Sequence, residues 1–189
     1  MKIEESIQTS KINTPNVAVF LIDVQESLLN GIKNKDQLID ALNILIQSTK
    51  IFNLPFIITE QVPQKLGITS RSLLVSNDIR IAKSSFSIFG CEEIKKYISE
   101  QKISHLILSG IETPICIYLS AIDALKAGVE VTILSDCVGA RRQDDQSTVL
   151  GKLQDAGCHI LPLESFIYGY MRTAEHPNFR EVSKLIRNR

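Results

Sequence analysis

Short apolar runs alternate with amphipathic stretches along most of this chain. Four runs, at 17–22, 55–59, 105–110 and 129–134, are apolar at successive rather than alternate positions. Weaker runs lie near 80–82 and 158–161. Such continuous runs suit strands covered on both faces. The segments between them predict helices over 36–53, 91–102, 114–127 and 142–156. In the first, Leu38, Leu42, Leu45, Thr49 and Phe52 fall on one stripe, with Ala41 and Ile46 beside it, as a helix with one buried face requires. In the second, Ile94, Tyr97 and Ile98 face one way and the charges the other. Thr113-Pro114 and Gly128 bracket the third, and Gly157 ends the fourth. Strand and helix in alternation predict an α/β fold, a mostly parallel sheet with helices on both sides. Ligands in such sheets sit beyond the carboxyl ends of the strands. The residues that close each run are therefore the ones to inspect.

The 189 residues fit one domain, taken here as 15–189 after a polar segment at 1–14. With 21 basic and 21 acidic side chains and no basic block, the chain lacks the clustered charge that nucleic-acid partners need. No apolar run approaches the roughly 20 residues of a membrane span. The start, MKIEESIQTSKINTPN, is polar and lacks the apolar core of a secretory signal, so a cytoplasmic location is expected. There Cys91, Cys116, Cys137 and Cys158 are expected as free thiols. His105, His159 and His176 are scattered, and neither C-x-x-C nor H-E-x-x-H occurs. No metal and no cofactor are expected.

Three strand ends carry candidate chemistry. The first run leads straight into Asp23, which either caps the next helix or acts as a general base at the ligand edge. The run HLILSG leads through Glu112 and Thr113-Pro114 to Cys116. Thr113 reads as an N-cap and Pro114 as the first helical residue, which puts Cys116 in the first turn. There the helix dipole lowers a thiol pKa, and unpaired main-chain N–H groups can receive an oxyanion. Against this stands the ordinary use of cysteine as a small buried apolar residue. Lys83, after the weak run at 80–82, is either a solvated charge or the cation of the same pocket.

At these residues the sequence resembles the isochorismatase-like hydrolase superfamily. NVAVFLIDVQESL is similar to its first strand with Asp and Gln, and IAKSSFSIFG to the stretch carrying its lysine. LILSGIETPICIYLSAIDALKAGVEVTILSDCVGAR is similar to its nucleophile turn, helix and next strand. TEQVPQKLGIT and the tail AEHPNFREVSKLI resemble the isochorismatase domain-containing and YcaC-like hydrolase group. The resemblance implies a three-layer α/β/α Rossmann-like fold with a six-stranded sheet. It implies a triad of Cys116, Asp23 and Lys83, and a cis peptide between Ile111 and Glu112. That peptide would set the N–H of Glu112 beside that of Cys116 as an oxyanion hole. Gln25, Phe86, Phe89 and Thr113 are candidate substrate contacts, with Phe86 and Phe89 favoured as core. Arg141 is read as a solvated helix-start charge or an anchor for the loop below the site.

Two departures narrow the chemistry. Nicotinamidases of the superfamily hold a metal through a D-x-H-x-H-like cluster absent from this sequence. True isochorismatases lack the cysteine. The expected activity is hydrolysis of a small amide or activated acyl compound through a thioester. A catalytically silent scaffold and a redox-sensing thiol protein are the alternatives. Ile115, Ile117, Leu119, Ile122 and Leu125 are spread around the helix at 114–127, which must be covered by the sheet and by another subunit, so a homo-oligomer is expected.

Overall fold

Strands β1 (Val17–Ile22), β2 (Phe56–Gln61), β3 (Ile79–Lys83), β4 (His105–Ile111), β5 (Glu130–Gly139) and β6 (His159–Leu161) form one sheet in the order β3-β2-β1-β4-β5-β6. Every neighbouring pair is parallel. This is a computed structural model, and it describes residues 16–76 and 78–187; the polar segment at 1–14 lies outside them. The winding reverses between β1 and β4, so the crevice at their carboxyl ends is the topological switch point.

The crossovers are α1 (Glu26–Leu29), α2 (Lys35–Ile51), α3 (Pro63–Leu66), α4 (Glu92–Glu100), α5 (Tyr118–Lys126) and α6 (Gln143–Asp155). The tail adds α7 (Leu163–Met171) and α8 (Phe179–Arg187). Alternate residues of β1 serve opposite layers. Val19 and Leu21 pack with Leu38, Leu42, Leu45, Ile167 and Ile186 on the α2, α7 and α8 side. Ala18, Phe20 and Ile22 pack with Ile94, Ile98, Ala121 and Leu153 on the α4, α5 and α6 side. Each fully buried Leu, Ile or Phe stabilises the fold by about 1.5–3 kcal/mol, and the one polar residue within β4, Ser109, is satisfied by donating its hydroxyl to the Phe20 carbonyl at 2.9 Å.

The helix stripes lie where their spacing places them, with two differences. The segment at 114–127 is not one α-helix: Thr113–Ile117 forms a π turn before α5 begins. The tail helices carry no strong start or stop signal and declare themselves only through packing, Val182 and Ile186 being buried against the α2 layer.

The tightest contact in the sheet is at the switch point. Gly110 pairs with Ile22 and takes φ +108°; a Cβ there would meet the Ile22 carbonyl oxygen at 2.1 Å. No side chain can be accommodated without parting β1 from β4. Gly110→Ala should therefore lower the unfolding free energy by roughly 3 kcal/mol or more. Gly151→Ala, in α6 with nothing within 4 Å, should raise it by about 0.5–1 kcal/mol. Urea unfolding of both variants checks the pair.

Candidate active site

Asp23 follows β1 directly and turns the chain with φ 54°, a left-handed conformation uncommon outside glycine. Its N–H donates to the Thr59 carbonyl at 3.1 Å, which keeps it on the sheet edge. Its carboxylate is shut off from water and divided between two donors. Thr59 Oγ1 donates to Oδ1 at 2.7 Å, and Lys83 Nζ to Oδ2 at 2.6 Å.

Lys83 closes β3 and reaches Asp23 past the end of β2. The side chains of both ions are 0% exposed, so Lys83 is not a solvated charge. Its ammonium also donates to Gln61 Oε1 at 2.7 Å, Ser85 O at 3.0 Å and Phe86 O at 3.2 Å. An ammonium has three N–H donors and here meets four acceptors, so none is left over for a ligand.

Gln25 is fully buried and braces the site. Its Oε1 accepts the Gln61 N–H at 2.7 Å, while its Nε2 donates to the carbonyls of Gln61 and Gly67. Glu60 Oε1 accepts both the N–H and the hydroxyl of Thr69 at 2.8 Å, pinning the same loop. Glu60-Gln61, which from sequence could serve a pocket rim or a subunit contact, are thus interior braces.

The Ile111–Glu112 peptide is cis, as the resemblance implies. Glu112, not Thr113, is the residue that precedes the turn. Thr113 lies inside it, fully buried, and its hydroxyl donates to the Gly139 carbonyl at 3.1 Å instead of capping. The π turn is closed by Ile117 N–H to Glu112 O at 3.2 Å. Glu112 is held in turn by Arg141, whose Nε lies 2.9 Å from Oε1. Arg141 therefore anchors the loop, its stem lying against Gly31.

Cys116, 6% exposed, stands beside Asp23. The expected lowering of its pKa does not occur. Burial pushes the thiol up, the Asp23 charge pushes it further, and Lys83 offsets only part of that; the result is about 12. A hydrogen bond from the thiol to Asp23 also raises it, while a main-chain hydrogen bond from Glu112 to the sulfur lowers it. Desolvation and an adjacent carboxylate outweigh the dipole of a helix that starts only after the cysteine.

The structure thus brings together Cys116, Asp23, Lys83 and the Glu112 main chain. Phe86, favoured from sequence as core, is 56% exposed beside the lysine loop, and Phe89 is half-buried against the α4 to α6 layer. Thr59 and Ser120 were not singled out from sequence. Ser120 accepts the Ile88 N–H at 3.0 Å and so ties the lysine loop to α5. Nothing in a serine between apolar residues announces that contact; Thr59 at the end of its run had the same standing as Asp23. A cavity of about 410 Å³ between α2, β5 and α6 is elsewhere: neither Cys116, Asp23 nor Lys83 lines it. The chemistry follows the groups and not the volume, because a hydrogen-bonded acid and thiol are what can react. Among the described residues no group of three or more His, Cys, Asp or Glu could hold a metal.

A parallel sheet with an acid and a thiol at its switch point, and a cis peptide before the thiol turn, defines a class of α/β proteins built around one polar crevice. The isochorismatase domain family model matches residues 17–165, and the chain belongs to that family. It is 32% identical to isochorismatase domain-containing protein 2 of Danio rerio over 93% of this chain and 89% of that one. A solved structure titled MAR1 ribonuclease, from Caenorhabditis elegans, superposes with TM-score 0.84 at 32% identity, covering 90% of this chain and 89% of that one. YcaC of Escherichia coli, titled an octameric hydrolase of unknown specificity, superposes with TM-score 0.79 at 20% identity over 91% and 94%.

Removing one member of the buried ion pair should be costly. Lys83→Met leaves a charged, unpaired Asp23 and should lower the unfolding free energy by about 3–5 kcal/mol. Adding Asp23→Asn should restore most of that loss. Denaturant titration of the single and double variants measures both, and a single-variant loss below about 1 kcal/mol would match only a solvated pair.

Proposed function

We propose that this chain is a cysteine hydrolase of small, neutral amides or related acyl compounds. The observation that carries the reading is the Cys116 thiol hydrogen-bonded to a carboxylate that is itself neutralised by Lys83 out of contact with water. In the resting site the proton stays on sulfur. When a carbonyl carbon reaches the sulfur, Asp23 takes that proton as the S–C bond forms. Net charge at the site is unchanged by the transfer, because the carboxylate becomes neutral as the carbonyl oxygen becomes an oxyanion and Lys83 keeps its proton. The high thiol pKa therefore suppresses idle reactivity without blocking attack.

The N–H groups of Glu112 and Cys116 are the proposed oxyanion donors, each worth about 3–4 kcal/mol by comparison with similar sites. Support for the first is the main-chain hydrogen bond between Glu112 and the sulfur. Asp23 then protonates the departing amine, and the C–N bond breaks. Water, giving its proton to Asp23, cleaves the thioester, and Asp23 returns the proton to sulfur. Lys83 has no N–H left for a carboxylate on the substrate, which favours a neutral acyl group. Phe86, exposed beside the lysine loop, is the proposed apolar wall, while Gln25, Phe89 and Thr113 serve the frame.

A homo-oligomer is part of the same proposal. Leu119 is exposed on α5, one turn beyond Cys116, and Ile115 and Ile122 on the same side are only partly covered. A cytoplasmic setting is proposed because Cys91, Cys116 and Cys158 form no disulfide among the described residues. No helix among the described residues is long and apolar enough to cross a membrane.

Ammonia release from a panel of small neutral amides should be abolished by Cys116→Ala and reduced by about 10²–10⁴ by Asp23→Asn. Asp23→Asn removes both upward influences of the carboxylate on the thiol and leaves Lys83 in place. Iodoacetamide should therefore label Cys116 at lower pH in that variant than in the wild type, read by mass spectrometry of the peptide. Wild-type turnover in either variant overturns the mechanism, and cleavage of RNA that survives Cys116→Ala would place a different activity on this fold. Light scattering should give a mass above the 21.1 kDa of one chain; a monomer at micromolar concentration would remove the oligomer from the proposal.

A further inference from the structure

The turn that carries Cys116 is stitched to the end of β5 at three successive residues. Ile111 pairs with Gly139 in the sheet, and the Thr113 hydroxyl donates to the Gly139 carbonyl at 3.1 Å. Between them the Glu112 carboxylate reaches Arg141. Arg141 Nε lies 2.9 Å from Oε1 and donates to Oε2 at 3.0 Å, and the Arg141 main-chain N–H donates to Oε2 at 3.3 Å. This stitch is charge-assisted, and such bonds are roughly twice as strong as neutral ones. The two partners differ in exposure: the Glu112 side chain is 10% exposed and that of Arg141 63%. The arginine stem still has a defined seat, because a Cβ on Gly31 would stand 3.1 Å from its Cγ and 3.2 Å from its Cδ. Asp23 and Lys83 are sealed from water, whereas Arg141 links the Cys116 turn to the surface.

We infer that Arg141 is a positioning residue for Cys116: by clamping the Glu112 carboxylate it holds the Glu112 main chain against the sulfur. Glu112 has two duties beyond that clamp. Its carbonyl accepts the Ile117 N–H at 3.2 Å, closing the π turn, and its main chain hydrogen-bonds the sulfur. A hydrogen bond to sulfur favours thiolate only while its donor is aimed there. A nearly buried carboxylate that loses its cation turns toward water, because staying unpaired is costly. That movement would draw the Glu112 main chain off the sulfur and leave the thiolate less favoured. The effect on turnover rests on the hydrolase reading above; the effect on thiol reactivity does not.

The test is the rate at which iodoacetamide alkylates Cys116 at one fixed alkaline pH, read by mass spectrometry of the peptide. Arg141→Ala should slow it about fivefold or more, since thiolate is the species alkylated. A turn that had merely loosened would expose the sulfur and speed the reaction instead. Guanidinium chloride, well below denaturing concentrations, should restore most of the rate by occupying the vacated surface position; sodium chloride at equal ionic strength should not. Glu112→Gln keeps the side-chain shape and should also slow alkylation, with the double variant no slower than Arg141→Ala. It carries the test if circular dichroism shows Arg141→Ala unfolded. In hydrolysis of a neutral amide, Arg141→Ala should lower kcat about tenfold with little change in KM. Unchanged or faster alkylation in a folded variant, or no gain from guanidinium over sodium, overturns the role of Arg141. Amide turnover that survives Cys116→Ala overturns the hydrolase reading and leaves the alkylation result standing.

Discussion

The closing residues of β1 and β3 are held together across β2 by a single buried ion pair, and the site's geometry rests on it. Two charges removed from water are tolerated only when each is fully paired and hydrogen-bonded. Asp23 meets that requirement with Thr59 and Lys83, and Lys83 with Asp23, Gln61 and two carbonyls of its own loop. The arrangement is therefore over-determined: strand ends, the lysine loop and the glutamine braces must all be in place together. A carboxylate fixed in this way has a constant position, and its nearness is what the adjacent thiol responds to.

That thiol shows how two general rules can oppose each other at one atom. Placement at the start of a helical segment favours thiolate; burial beside an anion favours thiol. Burial and the anion win because the sulfur is nearly sealed and the α-helix begins two residues later. The π turn contributes to this outcome by inserting an extra residue between the cis peptide and α5, so that the sulfur faces Asp23.

Most of the architecture was legible in the apolar runs, since continuous hydrophobic segments of strand length alternating with helical stripes suit a sheet covered on both faces. Asp23, Lys83 and Cys116 were legible as residues closing strands, and the resemblance joined them into one constellation. What was hidden was hidden for physical reasons. Lys83 follows a short strand with exposed positions, and only the tertiary fold reveals that its ammonium has crossed to Asp23. Phe86 looks like core material by residue type, yet its carbonyl is claimed by Lys83 and its ring is left outside. Thr113 was misjudged because a hydroxyl can serve a neighbouring strand as well as its own helix. The π turn has no periodic signature, since its extra residue is set by the strand entering it.

The position of α7 and α8 bears on how the polypeptide matures. Leu163, Ile167, Met171, Val182 and Ile186 complete the layer that α2 begins, although α2 is made long before these residues. One side of the sheet thus remains greasy and uncovered until α7 and α8 are made, a stage at which nascent chains are prone to stick to one another. The opposite layer, closed by α4, α5 and α6, is finished before the ribosome reaches the tail. Synthesis from one end makes the two sides of this symmetric-looking sandwich unequal in their exposure to aggregation.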